Sequence, residues 1–431
     1  MRIAILALLL ALCGPALEAQ VVGKPTKGAF LLRNATIETV TNGTVSGDLL
    51  IEDGKITGLG ANLSAPTGAR TIDCSGKFVY PGFIDAGTSL GTVEINSVSL
   101  TRDNNEIGEI NPHMKALTAV NPNSVAIPVT RVSGVTTVIT KPSGGLIPGT
   151  ASLINLIGYS PAEMHAGFDA MVMNFPSSGP SRRDRRSPED RQKEEAKKLK
   201  QITELWDDTR LFARIGEAKA KDKSVRQEYN PTLSAMIPVV NGEMPLFIEV
   251  NREKDILSAL SWIKEHPGVK SVLTGVAEGW RVADSIAAAG VPVITGPVIN
   301  LPTRASDRYD RPYANAGLLH KAGVTVAIRS DDTENVRDLP FHAGFAAAYG
   351  LGRAEALRAI TIVPAQIMGV ADELGSLEVG KTANLFICDG DPFETKTQVE
   401  QVFIQGWEVP MNSRQSLLYD EFLERRPGVR N

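Results

Sequence analysis

The sequence predicts an α/β protein: a (β/α)8 barrel carrying a small β-sandwich assembled from both ends of the chain. Three observations carry this. Short alternating segments separated by turn dipeptides fill the region before residue 81. Apolar runs then alternate with helical patterns over 81–369, the texture of parallel strands joined by crossover helices. From 370 to 412 the strand texture returns. So many strand–helix units suit a closed barrel better than one open sheet. Composition agrees, with 431 residues, 42% hydrophobic and 22% charged. The net charge of −4 gives no pull toward nucleic acid or anionic membranes.

Residues 1–19 read as a signal peptide. Arg2 supplies a positive start, Ile3 to Leu12 is an apolar run too short to span a membrane, and Leu17-Glu18-Ala19 offers a cleavage site. Leu12 before Cys13 argues against a lipid anchor. The expectation is a secreted or periplasmic protein with no transmembrane segment. In such a compartment Cys74 and Cys388 could pair or stay as buried thiols, and the sequence leaves both open.

The first half of the sandwich, 20–80, contains Phe30-Leu31-Leu32, Thr36 to Val40 and Leu49-Leu50-Ile51, with turns at Asn42-Gly43 and Asp53-Gly54. The barrel region follows. Val135 to Ile139 and Leu246 to Val250 read as buried strands. A helix comes next, with Ile256, Leu257, Leu260 and Ile263 on one face. Lys270 to Leu273, Val291 to Ile294 and Val324 to Ile328 are further strands. Gly290 is placed to end the helix from Arg281. Arg353 to Ile362 is another helix. The stretch from Ala151 to Asp207 is too irregular to read. A charged insertion occupies about 178–230. Between Arg182 and Lys200 it holds nine basic and five acidic residues, and Ser187-Pro188-Glu189-Asp190 is a sound helix start. It reads as a solvated helix, with a docking surface as the alternative. The tail, 413–431, has amphipathic character from Ser413 to Arg425.

Two groups of residues resemble a known family. Phe78-Val79-Tyr80-Pro81-Gly82-Phe83-Ile84-Asp85-Ala86 looks like the lead-in to an amidohydrolase-superfamily barrel. Pro364-Ala365, Leu374 to Lys381, Ala383-Asn384-Leu385 and Asp389 to Phe393 look like its exit. The resemblance is to the imidazolonepropionase-like and prolidase-like branch and covers nearly all of the chain after the signal. It implies hydrolysis of amide and related C–N bonds by a metal held at the barrel mouth.

The same resemblance places the metal ligands, and here they are altered. His-x-His on the first barrel strand becomes Gly87-Thr88-Ser89, so Gly87 and Ser89 are degenerate metal positions. The later histidines fall on Glu249 and near Gly275-Val276. Asp331 keeps the position of the family's ligand and general base, so it is the catalytic candidate. Glu249, Arg329, His113 and Lys141 are candidates to line the pocket. Arg329 paired with Glu249 or Asp331 would fill the metal's space. The expected cofactor is none; the alternative is one divalent metal on oxygen ligands of Glu249, Asp331 and Asp332. Ser143-Gly144-Gly145 and Gly149 read as a plain turn or a ligand loop.

Three functions follow. The first is a non-catalytic relative that binds a small or peptide-like ligand, alone, as a homo-oligomer, or beside an active amidohydrolase. The second is a divergent hydrolase using Asp331. The third is a structural subunit docking through the insertion.

Overall fold

The structure, a computed structural model, describes residues 23–177, 179 and 186–425. The proposed signal peptide, Cys13 and the insertion's first arginines lie outside these residues. Among them, no helix is long and apolar enough to cross a membrane.

Strands β1 (Phe30–Glu38), β2 (Thr44–Glu52), β3 (Lys55–Gly60), β4 (Arg70–Asp73) and β5 (Phe78–Pro81) form the N-terminal part. The two segments expected before Asn42 are one strand, β1, bulged between Leu32 and Ala35. The barrel strands are β6 (Phe83–Thr88), β7 (Val135–Thr140), β8 (Gly149–Asn155), β9 (His165–Asn174), β10 (Leu246–Val250), β11 (Ser271–Gly275), β12 (Val293–Thr295) and β13 (Val326–Ile328). Then come β14 (Leu385–Cys388), β15 (Val399–Ile404) and β16 (Trp407–Val409).

The ends of the chain do meet: β14 pairs with β5, and the order is β16-β15-β14-β5-β1-β2-β3 with β4 on β1. These strands form one hydrogen-bonded sheet apart from the barrel, in which β1 pairs with β4 over Phe30–Arg33 and with β5 at Thr36 and Ile37. Cys74 and Cys388 are buried free thiols in this region. Burial pushes them up to about 11 and about 12, which leaves both unreactive.

The barrel sheet runs β6 to β13 in chain order. One strand departs from the all-parallel expectation: β8 is antiparallel to both β7 and β9. The reason lies in the connections. A parallel crossover needs a dozen or more residues, and only the short turn from Lys141 to Pro148 joins β7 to β8. Between β13 and β6 there is no ladder. Backbone bonds close the seam at the top, from Asp331 N to Gly87 O at 3.0 Å and from Ser89 N to Asp332 O at 3.2 Å. Lower down, the turn at Ala359-Ile360 bonds Ile328 N and Ile84 N.

Helices cover the outside. In Glu253–Glu265 the buried residues are Asp255, Ile256, Ala259 and Trp262, and Leu257 is exposed, so the inward face is rotated from the one expected. Trp262 is the large side chain that sets it. The charged insertion is a helix over Pro188–Lys221, started as predicted by the Ser187 side chain accepting from Asp190 N. It is not wholly solvated: Ile202, Leu205, Trp206 and Thr209 are buried. The helix expected over Arg353–Ile362 breaks into Arg353–Arg358 and Ile362–Ile367 around the seam turn.

Candidate functional site at the barrel mouth

Inside the barrel, Ile139, Phe247, Val272 and Ala327 belong to one apolar cluster. Alternate residues of a strand share a face. Two positions on from each stand Lys141, Glu249, Thr274 and Arg329, so all four side chains turn inward at the carboxyl ends of β7, β10, β11 and β13. That is the end at which such barrels place ligands.

These side chains form one charged network. Arg329 is 2% exposed and binds Glu249 in a fork: Nη1 donates to Oε2 and Nη2 to Oε1, both at 2.7 Å. Its Nη2 also lies 3.4 Å from Asp331 Oδ2. Lys141 Nζ is 2.9 Å from Asp331 Oδ1 and 3.6 Å from Glu249 Oε2. Thr274 Oγ1 donates to Glu249 Oε2 at 3.0 Å. Arg329 is thus paired with both carboxylates that the sequence offered it.

Burial works against charge at both partners, and the partners overcome it. Burial raises the Glu249 carboxyl, but the charges of Arg329 and Lys141 and hydrogen bonds from Arg329 and Thr274 hold it well below the usual carboxylate range. Arg329 likewise remains firmly protonated against burial, through Asp331, Glu249 and Asp85. Asp85 is wholly buried and accepts from Ser330 N at 3.1 Å and Gly87 N at 3.1 Å. Burial pushes its carboxyl up to about 7, against those hydrogen bonds and the Arg329 charge.

Gly87 sits directly against this network. A Cβ there would lie 2.9 Å from Arg329 Cδ, so the arginine stem takes the volume that a side chain at 87 would need. Gly87→Ala is expected to cost about 1–3 kcal/mol through overpacking, read as a lower urea midpoint at unchanged slope. A shorter residue at 329 should relieve it.

The other candidates are placed elsewhere. Asp332 Oδ1 accepts from the backbone N of Thr333, Glu334 and Asn335, at 2.6, 3.0 and 3.1 Å. Its Oδ1 therefore caps this turn. Ser89 Oγ accepts from Asn104 Nδ2 at 3.4 Å. His113 is exposed, on the loop between β6 and β7. Ser143 to Gly149 forms bridges to that loop, at Asn105–Ser143 and Ile110–Ile147, so the glycines seat a loop. No group of three or more His, Cys, Asp or Glu among the described residues is placed to hold a metal. Thr274 and Asp85 are the participants that sequence reading passed over. Extending the β11 strand by one residue would have found Thr274, and Asp85 stood in a motif already singled out.

His342 lies beside the mouth. Its Nδ1 accepts from Val298 N at 3.2 Å and Ile299 N at 3.1 Å. Burial pushes it down to about 4, with the Asp332 charge opposing. An unfolded histidine binds its proton near pH 6.5 and the folded one near 4, so stability is full above 6.5 and falls as the pH drops toward 4. The loss is on the order of 3 kcal/mol. Asp85 has the opposite sign: its stabilisation is full below 3.8 and is lost as the pH rises through about 7. The His342 effect is therefore the difference between wild type and His342→Gln, each unfolded in urea at pH 7.5 and pH 5. The variant should lose less.

The amidohydrolase family pattern matches residues 130–409. The chain belongs to the amidohydrolase family. An amidohydrolase from Thermotoga maritima MSB8 superposes with a TM-score of 0.79 at 27% identity, over 89% of this chain and 100% of that one. A prolidase complexed with N-methylphosphonate-L-proline shares the fold, at a TM-score of 0.57 and 17% identity over 89% of this chain and 100% of that chain. A D-hydantoinase of Rhizobium radiobacter is 45% identical over 70 residues, 16% of this chain and 15% of its own. An imidazolonepropionase of Micrococcus luteus is 35% identical over 121 residues, 27% of this chain and 29% of its own. The chain thus matches well under half the length of these curated relatives.

Proposed function

We propose that this amidohydrolase-family protein acts outside the cytoplasm as a binding protein for a small cyclic-amide or peptide-like ligand, without metal-activated hydrolysis. The fork between buried Arg329 and half-buried Glu249 carries this reading. The family's chemistry depends on a divalent metal that brings the pKa of bound water from 15.7 toward about 7. The residues at this mouth do not fit such an ion. Gly87 offers no donor, both Glu249 oxygens are engaged by Arg329, and Asp332 Oδ1 is held by its turn. A bound metal would sit against a permanently charged guanidinium. The ligand class is suggested by the names of the relatives, and the export by the first nineteen residues.

Lys141 and Asp331 remain partly open to solvent, at 18% and 32% of their side chains. They offer an ammonium donor and a carboxylate acceptor, which suit the C=O and N–H of an amide. The test is a melting-temperature screen with hydantoin, dihydrouracil and N-acetylproline, with product analysis in parallel. A shift that disappears in Lys141→Ala, with no hydrolysis above buffer, is the expected result. Hydrolysis that disappears in Asp331→Ala would instead favour a second reading, a divergent hydrolase. The αL backbone of Asp331 (φ 53°) at the end of β13 is the observation on its side, since such geometry is common at functional positions.

A further inference from the structure

A cavity of about 1390 Å³ lies at the other end of the barrel. Arg131 lines it just before β7 begins, and Leu156 lines it just after the reversed β8 ends, so it opens at the strands' N-terminal face. Ile127, Leu156, Met164, Leu418 and Phe422 make its wall largely apolar.

Within that wall Arg131 is anomalous. It is 7% exposed, its Nε is buried with no hydrogen-bond partner, and no carboxylate among the described residues pairs with it. Burial lowers its pKa to about 10, and no neighbouring charge contributes to the shift. Of the two acids lining the cavity, Glu163 accepts from Tyr159 N and Glu421 pairs with Arg425. A buried arginine without an anion is costly, which is why such residues are almost always paired. Here the partner has room to come from outside.

We infer that this cavity binds an amphiphilic monocarboxylate, with the carboxylate on Arg131 and an apolar tail along the wall formed by Ile127, Leu156, Met164 and the 414–424 helix. A single guanidinium matches one carboxylate in a bidentate fork. The other cations of the lining, Lys24, Arg414 and Arg425, are exposed, so the buried Arg131 is the one that selects the head group. The tail accounts for the apolar wall, which a small anion such as acetate would leave unfilled.

Calorimetric titration of the full chain with decanoate, 1-decanol and acetate tests this. One decanoate per chain is expected, with acetate at least about tenfold weaker and decanol weaker than decanoate. Arg131→Met should weaken decanoate roughly tenfold or more and leave decanol unchanged. If that variant fails to fold, Phe422→Ala, at a side chain 60% exposed, should still weaken decanoate. No decanoate binding by the wild type would overturn the proposal. Equal affinity in Arg131→Met or in Phe422→Ala would do the same.

Discussion

Arg329→Ala is expected to lower the unfolding free energy by about 3–5 kcal/mol, because it strands Glu249 in the barrel interior without its fork partner. Lys141 at 3.6 Å and Thr274 at 3.0 Å are too few to replace two bonds of 2.7 Å. The loss should not scale with the volume removed. Converting both partners to apolar residues, Arg329→Met with Glu249→Leu, should recover stability to within roughly 1–2 kcal/mol of wild type, since the desolvation of two charges is then avoided. Urea unfolding of the single and double variants reads both numbers. A single variant within about 1 kcal/mol of wild type would mean that the fork contributes little, as exposed pairs do.

Trp206→Ala should cost about 3–5 kcal/mol. Trp206 is 1% exposed and meets Trp262 edge-to-face at 5.0 Å, while His266 stacks on Trp262 at 4.0 Å. This trio joins the charged insertion helix to the Glu253–Glu265 helix of the barrel wall. Its indole Nε1 has no partner, so Trp206→Phe gives up no hydrogen bond and should cost less than about 1.5 kcal/mol. Leu211→Ala, at a half-exposed position of the same helix, should stay within about 0.5 kcal/mol. If Trp206→Ala also proved mild, the insertion would be an appendage, as its charge alone suggests.

These two sites mark where sequence reading worked and where it stopped. The strands at Val135, Leu246 and Val324 were legible because buried parallel strands are continuous apolar runs. The period of two then places Lys141, Glu249 and Arg329 together, and their pairing was within reach. The reversal of β8 was not legible, since a short turn reads the same whichever way its strand then pairs. The capping role of Asp332 was not legible, because nothing in the sequence marks it apart from Asp331. Only three backbone N–H groups converging on it reveal a cap. His113 followed the family's local pattern but stands on an exposed loop. The inward face of the 253–265 helix went to Trp262, since one large ring can outweigh a row of leucines in setting a helix's rotation.

On the proposed function, the Arg329–Glu249–Asp331 network leaves no room for a metal ion at the barrel mouth. Elemental analysis of the purified protein, expressed with zinc, manganese and iron available, decides this. Less than about a tenth of an equivalent per chain is expected, since glycine, serine and an arginine-bound carboxylate make a poor set of donors. Close to one tightly held equivalent, lost on Asp331→Ala, would mean that the mouth does hold a metal.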